Sequence, residues 1–249
     1  MFMPLMVDLK RVILFGGERG EGRQKCEKLA CYADELLVVP ERPFPQEEIV
    51  LDAGPLPHVA ERLELSEARR IPVAAEPASS SSIGRFISGA TFVVSDLSDR
   101  ALNEQIASTC RERGILCNVI DTKDLCSVWF MSLIDTPHLV AAISSKGGCA
   151  YFAKQTRIEL EPEIARREPV AAILTEARAL VPKGVDRTAV LDAIYRDAVF
   201  NHMVTAGEWT EARARAATIR EAASGATPSG RQADAGLAEE RRWQESSTI

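Results

Sequence analysis

Gly114-Ile115-Leu116-Cys117-Asn118-Val119-Ile120-Asp121 decides how the rest of the chain is read. Its apolar residues form a near-continuous run, as in a strand buried on both faces of a parallel sheet. The run ends on a polar pair, Asp121-Thr122. Open α/β sheets collect ligands just beyond the carboxyl ends of their strands. Asp121 therefore either caps the turn that follows or reaches a bound molecule.

Working upstream, residues 100–113 read as a helix with Leu102, Ile106, Ala107 and Cys110 on its buried stripe, stopped by Gly114. Residues 90–94 read as a strand that ends in Ser95-Asp96. The same alternation occurs earlier. A strand over 11–15 runs into a glycine-rich turn, Gly16-Gly17-Glu18-Arg19-Gly20-Glu21-Gly22. A helix over 23–33 and a strand over 35–39, closed by Pro40, complete a βαβ unit with a right-handed crossover. Glycines in such a turn let the backbone approach a pyrophosphate, and the helix N-terminus supplies free N–H groups. The G-x-G-x-x-G fingerprint is incomplete in both registers. Starting at Gly16 puts Glu18 second, and ending at Gly20 puts Phe15 first. The turn is either a ligand-free strand-to-helix connection or a nucleotide cradle. Glu41, just after the second strand, is the close candidate for a ribose contact.

Residues 40–60 are rich in proline and read as an extended connection with a short helical piece. Residues 70–74 read as a third, weaker strand and Ser79–Ser82 as a mobile loop. Downstream of Asp121, Val128–Met131 and His138–Ile143 read as an antiparallel pair of strands joined around Asp135-Thr136-Pro137. Ser144-Ser145-Lys146-Gly147-Gly148 before a helix starting near Ala150 is either an anion site or an ordinary turn. Helices are expected over 169–181, 187–204 and 208–223, with Trp209 as packing, and a small, polar, disordered tail from 225 to 249.

Composition narrows the function. Of 249 residues, 46% are hydrophobic, enough for a substantial core. A net charge of −6 argues against a dedicated nucleic-acid binder. No apolar run reaches the roughly 20 residues that span a bilayer, and residues 1–9 do not read as a secretory signal. The 6 cysteines show no C-x-x-C pair and no metal-ligand spacing, so free thiols in a reducing cytoplasm are expected.

In order, these pieces resemble the precorrin-2 dehydrogenase/sirohydrochlorin ferrochelatase family, the N-terminal module of siroheme synthases. The resemblance rests on Pro4–Lys10, the turn Gly16–Gly20, Ser95-Asp96, Leu102-Asn103-Glu104, Asn118–Asp121, Ala142–Gly148 and Gly207–Ala212. It implies an α/β architecture: a Rossmann-like NAD-binding domain over 1–125, a small dimerisation and substrate segment over 126–160, and a helical domain over 161–224, assembled as a homodimer. It implies NAD-dependent oxidation of precorrin-2 to sirohydrochlorin, followed by insertion of ferrous iron. The alternative is a chelatase or non-catalytic tetrapyrrole-binding relative without the NAD-dependent step. Asp121 falls on the family's essential aspartate, a general base for both reactions. Gly16, Gly17, Glu18, Arg19, Gly20, Pro40, Glu41, Ser95 and Asp96 fall on the cofactor side. Asn118, Ser144, Ser145 and Lys146 fall on the tetrapyrrole side, with Lys146 standing where a glycine is common.

Overall fold

Odd and even positions of a strand face opposite sides of its sheet, and here both sides are apolar. Ile13, Phe15, Val93, Cys117 and Val119 pack into one buried cluster, and Val12, Leu14, Val38, Phe92 and Val94 into another. A sheet buried on both faces must be covered by helices on both, which favours parallel strands. The computed structural model describes residues 6–18, 20–51 and 69–225 and shows this arrangement. Strands β1 (Arg11–Phe15), β2 (Glu35–Val39), β5 (Phe92–Ser95) and β6 (Leu116–Val119) form a parallel sheet in the order β2-β1-β5-β6. Helix α1 (Gly20–Ala30) connects β1 to β2 and packs Cys26, Leu29 and Ala30 on one face. On the other face, α2 (Ile83–Phe86) contributes Ile83, and α3 (Arg100–Arg113), which connects β5 to β6, packs Ile106, Ala107 and Cys110. Each fully buried side chain such as Leu14 or Ile106 contributes about 1.5–3 kcal/mol by leaving water.

The ends of α3 have local causes. The Asp99 carboxylate accepts the N–H groups of Ala101 and Leu102 at 2.8 and 3.2 Å. Gly114 takes the left-handed conformation that closes the helix, at φ 67°.

Strand order reverses between β1 and β5, so the crevice beyond their carboxyl ends is the topological switch point. Phe15 is level with both Val39 and Ser95, and Ser95 with Val119. The ladder continues past the strands, with Gly16 N–H to Val39 O, Asp96 N–H to Phe15 O and Ile120 N–H to Ser95 O, at 2.8–2.9 Å. The residues after all four strands therefore emerge on one rim.

The chain divides into two compact units, Met1–Ala165 and Arg166–Ile249. Several sequence expectations are corrected in the first. Residues 70–74 do hold a strand, as expected, but it stands outside the main sheet. β4 (Arg69–Pro72) pairs antiparallel with β3 (Glu48–Leu51), in the stretch expected to be an extended connection, and Val73 bridges Val38. The stretch between β3 and β4, 52–68, lies outside the described residues. The serine run 79–82 folds into a hydrogen-bonded turn, with Ser79 Oγ on Ser82 Oγ at 2.9 Å and Ser82 buried. Val128–Met131 is not a strand. Its apolar residues pack over the sheet, with the Phe130 ring 5.7 Å from that of Phe92 and the Lys25 ammonium 4.5 Å above it. The antiparallel pair is instead β7 (Ser132–Asp135) with β8 (Val140–Ile143).

Helix α4 (Ala150–Ala179) runs through Pro162 and Pro169, where separate helices were expected. In the second unit, Ile173, Val190, Ile194, Phe200, Ala212 and Ala216 form the core, with Trp209 packed against it. The single helix expected over 187–204 is two: α5 (Arg187–Tyr195) and α6 (Ala198–Ala206). Asp197 starts the second by accepting the Phe200 N–H at 2.8 Å. Helix α7 (Trp209–Gly225) follows, and the rest of the expected tail, 226–249, lies outside the described residues.

Candidate functional site

The glycine turn fills the switch-point crevice. Gly16, Gly17 and Gly20 have φ of 77°, 96° and 56°, which other residues rarely adopt. A Cβ on Gly17 would meet the Leu14 side chain at 2.6 Å, and one on Gly22 would meet the Gly17 amide nitrogen at 2.8 Å. The pair pressed together is thus Gly17 and Gly22, with the spacing of the first and last glycines of the fingerprint. That register, missed in the sequence, puts Arg19 at the middle glycine position. Arg19 itself lies outside the described residues. The cradle fits a dinucleotide through its backbone: a tight turn, a glycine-lined helix start, and α1 directed into the crevice.

The side chains around it are acidic. Glu18 turns away from the helix start, and its Oε1 accepts the Glu41 N–H at 2.8 Å. The Glu41 carboxylate accepts the Ser98 N–H at 2.8 Å and the Ser98 hydroxyl, linking the loops after β2 and β5. Asp96, after β5, accepts the Gly22 N–H of α1 at 2.7 Å. Its burial pushes the Asp96 carboxyl above the usual carboxylate range, and the charges of Glu21, Asp121 and Glu41 push it the same way. The Gly22 N–H pulls against them.

Asp121 is exposed and sits at φ 56°, a left-handed position that a non-glycine residue rarely takes. Its charge acts on Asp96, which places it on the same rim as the glycine turn.

The other expected site residues divide by what their side chains already do. Ser95 is wholly buried and donates to Asn103 Oδ1 at 2.6 Å. Asn118 is buried and donates to the Val128 carbonyl at 2.9 Å, tying down the loop after β6. Pro40 is buried and its carbonyl accepts the Ala78 N–H. These side chains hold the rim from below. Ser144, Ser145 and Lys146 lie on the loop after β8. Ser144 Oγ accepts the Lys146 N–H at 3.0 Å and Ser145 Oγ the Cys149 N–H at 2.9 Å, just before α4. Lys146 is exposed at φ 54°. The Lys123 ammonium, from the turn after Asp121, donates to the Gly147 carbonyl and so joins this loop to the β6 rim. No sequence signal pointed to Lys123. Among the described residues, no group of three or more His, Cys, Asp or Glu side chains is placed to hold a metal ion.

A four-stranded parallel sheet with a glycine cradle at its switch point defines a Rossmann-type dinucleotide-binding protein. The comparisons agree. A family model described as putative NAD(P)-binding matches residues 4–132, over half the chain. A precorrin-2 dehydrogenase of Methanosarcina barkeri is 31% identical over 162 residues, covering 64% of this chain and 65% of that one. A siroheme synthase of Sodalis glossinidius is 28% identical over 187 residues, 74% of this chain and 36% of that one. The solved structure of SirC, a precorrin-2 dehydrogenase, superposes with a TM-score of 0.57 at 15% identity, covering 90% of this chain and all of that one, a likeness of fold. The chain belongs to the putative NAD(P)-binding family, alongside the precorrin-2 dehydrogenase and siroheme synthase relatives it matches. It spans less than two thirds of the length of each of these relatives. Among the described residues, no helix is long and apolar enough to cross a membrane.

Proposed function

We propose that this protein oxidises precorrin-2 to sirohydrochlorin with NAD as hydride acceptor, and that ferrous iron is then inserted into the product at the same rim. The observation that carries the reading is Asp121. It is an exposed carboxyl group in a strained backbone position, within electrostatic reach of the glycine cradle.

The cradle of Gly16, Gly17, Gly20 and Gly22 would hold the pyrophosphate, and Glu41, just after β2, would contact the ribose hydroxyls. Glu18 and Arg19 belong to the same turn. The bound nicotinamide supplies the hydride acceptor. Everything else falls to the chain. Oxidation removes a hydride and a proton from the macrocycle, and Asp121 takes the proton as general base. Insertion of iron displaces pyrrole N–H protons, and the same carboxylate can receive them. The loop Ser144-Ser145-Lys146 would present a cation and two hydroxyls to the carboxylate-fringed substrate, and the Lys123 ammonium ties that loop to the turn after Asp121. A homodimer belongs to this reading, and Tyr151 and Phe152, exposed at the start of α4, offer an apolar surface to a second copy. The free thiols suit a cytoplasmic setting.

The test is turnover of precorrin-2 with NAD, followed by absorbance, in the wild type and Asp121→Ala. Removal of a general base predicts a loss on the order of 100-fold or more, with NAD affinity retained by calorimetry. Turnover by the variant at the wild-type rate rejects the role of Asp121. Absence of turnover in the wild type rejects the reaction.

A further inference from the structure

We propose that Asp96 is a resident anion in the dinucleotide cradle, holding the α1 amide a pyrophosphate would use, so that its negative charge sets how tightly the cofactor binds. The inference rests on the dinucleotide reading above and adds to it a residue that weakens binding.

The geometry is specific. The Asp96 carboxylate reaches α1 from the end of β5, and its Oδ2 lies 2.7 Å from the Gly22 nitrogen. A Cβ on Gly22 would stand 2.5 Å from that oxygen, and a Cβ on Gly16 would stand 3.2 Å from the Asp96 Cβ. The Asp96 side chain therefore stands against the backbones of both Gly16 and Gly22, at the start of the cradle. The first turn of a helix has N–H groups with no partner inside the helix, and these recruit an anion. Here a carboxylate of the chain itself takes one of them.

A second anion has to share that helix end. Among the described residues, the charges that act on Asp96 come from three elements: Glu21 on α1, Glu41 after β2 and Asp121 after β6. All three are acidic, so none offsets the repulsion between Asp96 and a phosphate. Binding is eased when Asp96 is protonated or swings out of the crevice. Partial burial and the neighbouring acids raise the Asp96 carboxyl above its ordinary value, so dinucleotide should bind more weakly as the pH rises through its titration. The pyrophosphate does not change its own charge over that range, so the dependence belongs to the protein.

The experiment is calorimetric titration of the full chain with NAD in acidic and in alkaline buffer, comparing wild type with Asp96→Asn. The asparagine keeps an oxygen that accepts the Gly22 N–H but carries no charge. It should bind NAD roughly tenfold tighter in alkaline buffer, the effect of removing one partly screened like charge, and should lose most of the pH dependence. Asp96→Ala should change affinity in the same direction, and thermal melting checks that each chain is folded. Equal affinity and equal pH dependence in the three chains overturn the role of Asp96 and leave the dinucleotide reading standing. Absence of NAD binding by every chain in both buffers overturns both.

Discussion

Asp96 and Asp197 perform the same local act in opposite surroundings. Each accepts a backbone N–H from the first turn of a helix, Asp96 from Gly22 of α1 and Asp197 from Phe200 of α6. Asp197 also receives Arg215 Nε at 3.0 Å on one oxygen and an Arg215 terminal nitrogen at 2.7 Å on the other. The Arg215 guanidinium, helped by the Phe200 N–H, holds its carboxyl down at about 2. Asp96 has burial and three acids where Asp197 has a cation, and its carboxyl is pushed up. The two residues therefore give stability opposite slopes with pH. A carboxyl raised in the folded state favours folding most when protonated, and its contribution falls as the pH rises through the folded value. A carboxyl lowered in the folded state contributes most when ionised. A cap paired with an arginine settles a helix junction. A cap set among acids at a switch point is relieved only by the amide it caps among the effects acting on it, and such groups are candidates for functional sites.

Gly22→Ala would break the first half of this comparison most severely. Alanine is the better helix residue by about 0.5–1 kcal/mol, so propensity alone predicts a gain. The new Cβ, however, would lie 2.5 Å from Asp96 Oδ2 and 2.8 Å from the Gly17 nitrogen. The carboxylate can rotate away, but the backbone of a turn anchored to Val39 cannot. Overpacking should win, with a net loss of about 1–3 kcal/mol by urea unfolding and weakened NAD binding. In an Asp96→Ala background most of the penalty should persist, because the contact with Gly17 remains. Full recovery there would show that Asp96, not the turn, sets the limit.

Asp99→Ala gives the baseline for an ordinary cap. Asp99 serves α3 alone, through Ala101 and Leu102. Its loss should destabilise the chain by about 1 kcal/mol, measured by thermal or urea unfolding, with no change in NAD affinity. A change in NAD affinity would mean that the loop carrying Ser98 and Asp99 belongs to the cradle through the Glu41–Ser98 link.

What was legible in the sequence was what short-range pattern determines. The stripe on 100–113, the stop at Gly114 and the apolar run to Asp121 gave a helix and strand within a residue of those observed. The opposed faces of β1 and the crossover to β2 followed from the same alternation. The site was legible as a rim, because strands of one parallel sheet end together, and Asp121 lies on it. The roles of Asp96 and Lys123 were not, since each depends on a partner far along the chain, Gly22 or Gly147. Gly22 carried a faint signal in its spacing from Gly17, hidden because Gly16, the glycine at the strand end, is spent on the turn. Val128–Met131 misled because apolar residues that pack over a sheet have the composition of residues within one. The break before Asp197 was invisible because the 187–204 stripe continues across it.

Arg215→Ala is the mildest of these changes and the one that converts the second aspartate toward the first. At neutral pH the effect on unfolding should be modest, since this partly buried ion pair still borders solvent and is screened by it. The informative range is acidic. In the wild type the folded carboxyl titrates at about 2, against an ordinary value of 3.8. Its stabilising contribution is complete above the ordinary value and is lost as the pH falls from there through the folded one. Without Arg215 the folded value should move back toward the ordinary one, retaining only the pull of the α6 amides, so the window narrows and the slope of stability across it flattens. Urea unfolding at a series of acidic pH values, compared between the two chains, reads this directly. If both lose stability along the same curve, the low value belongs to the helix start and not to the arginine. The contrast with Asp96 would then come from its burial and acidic neighbours alone.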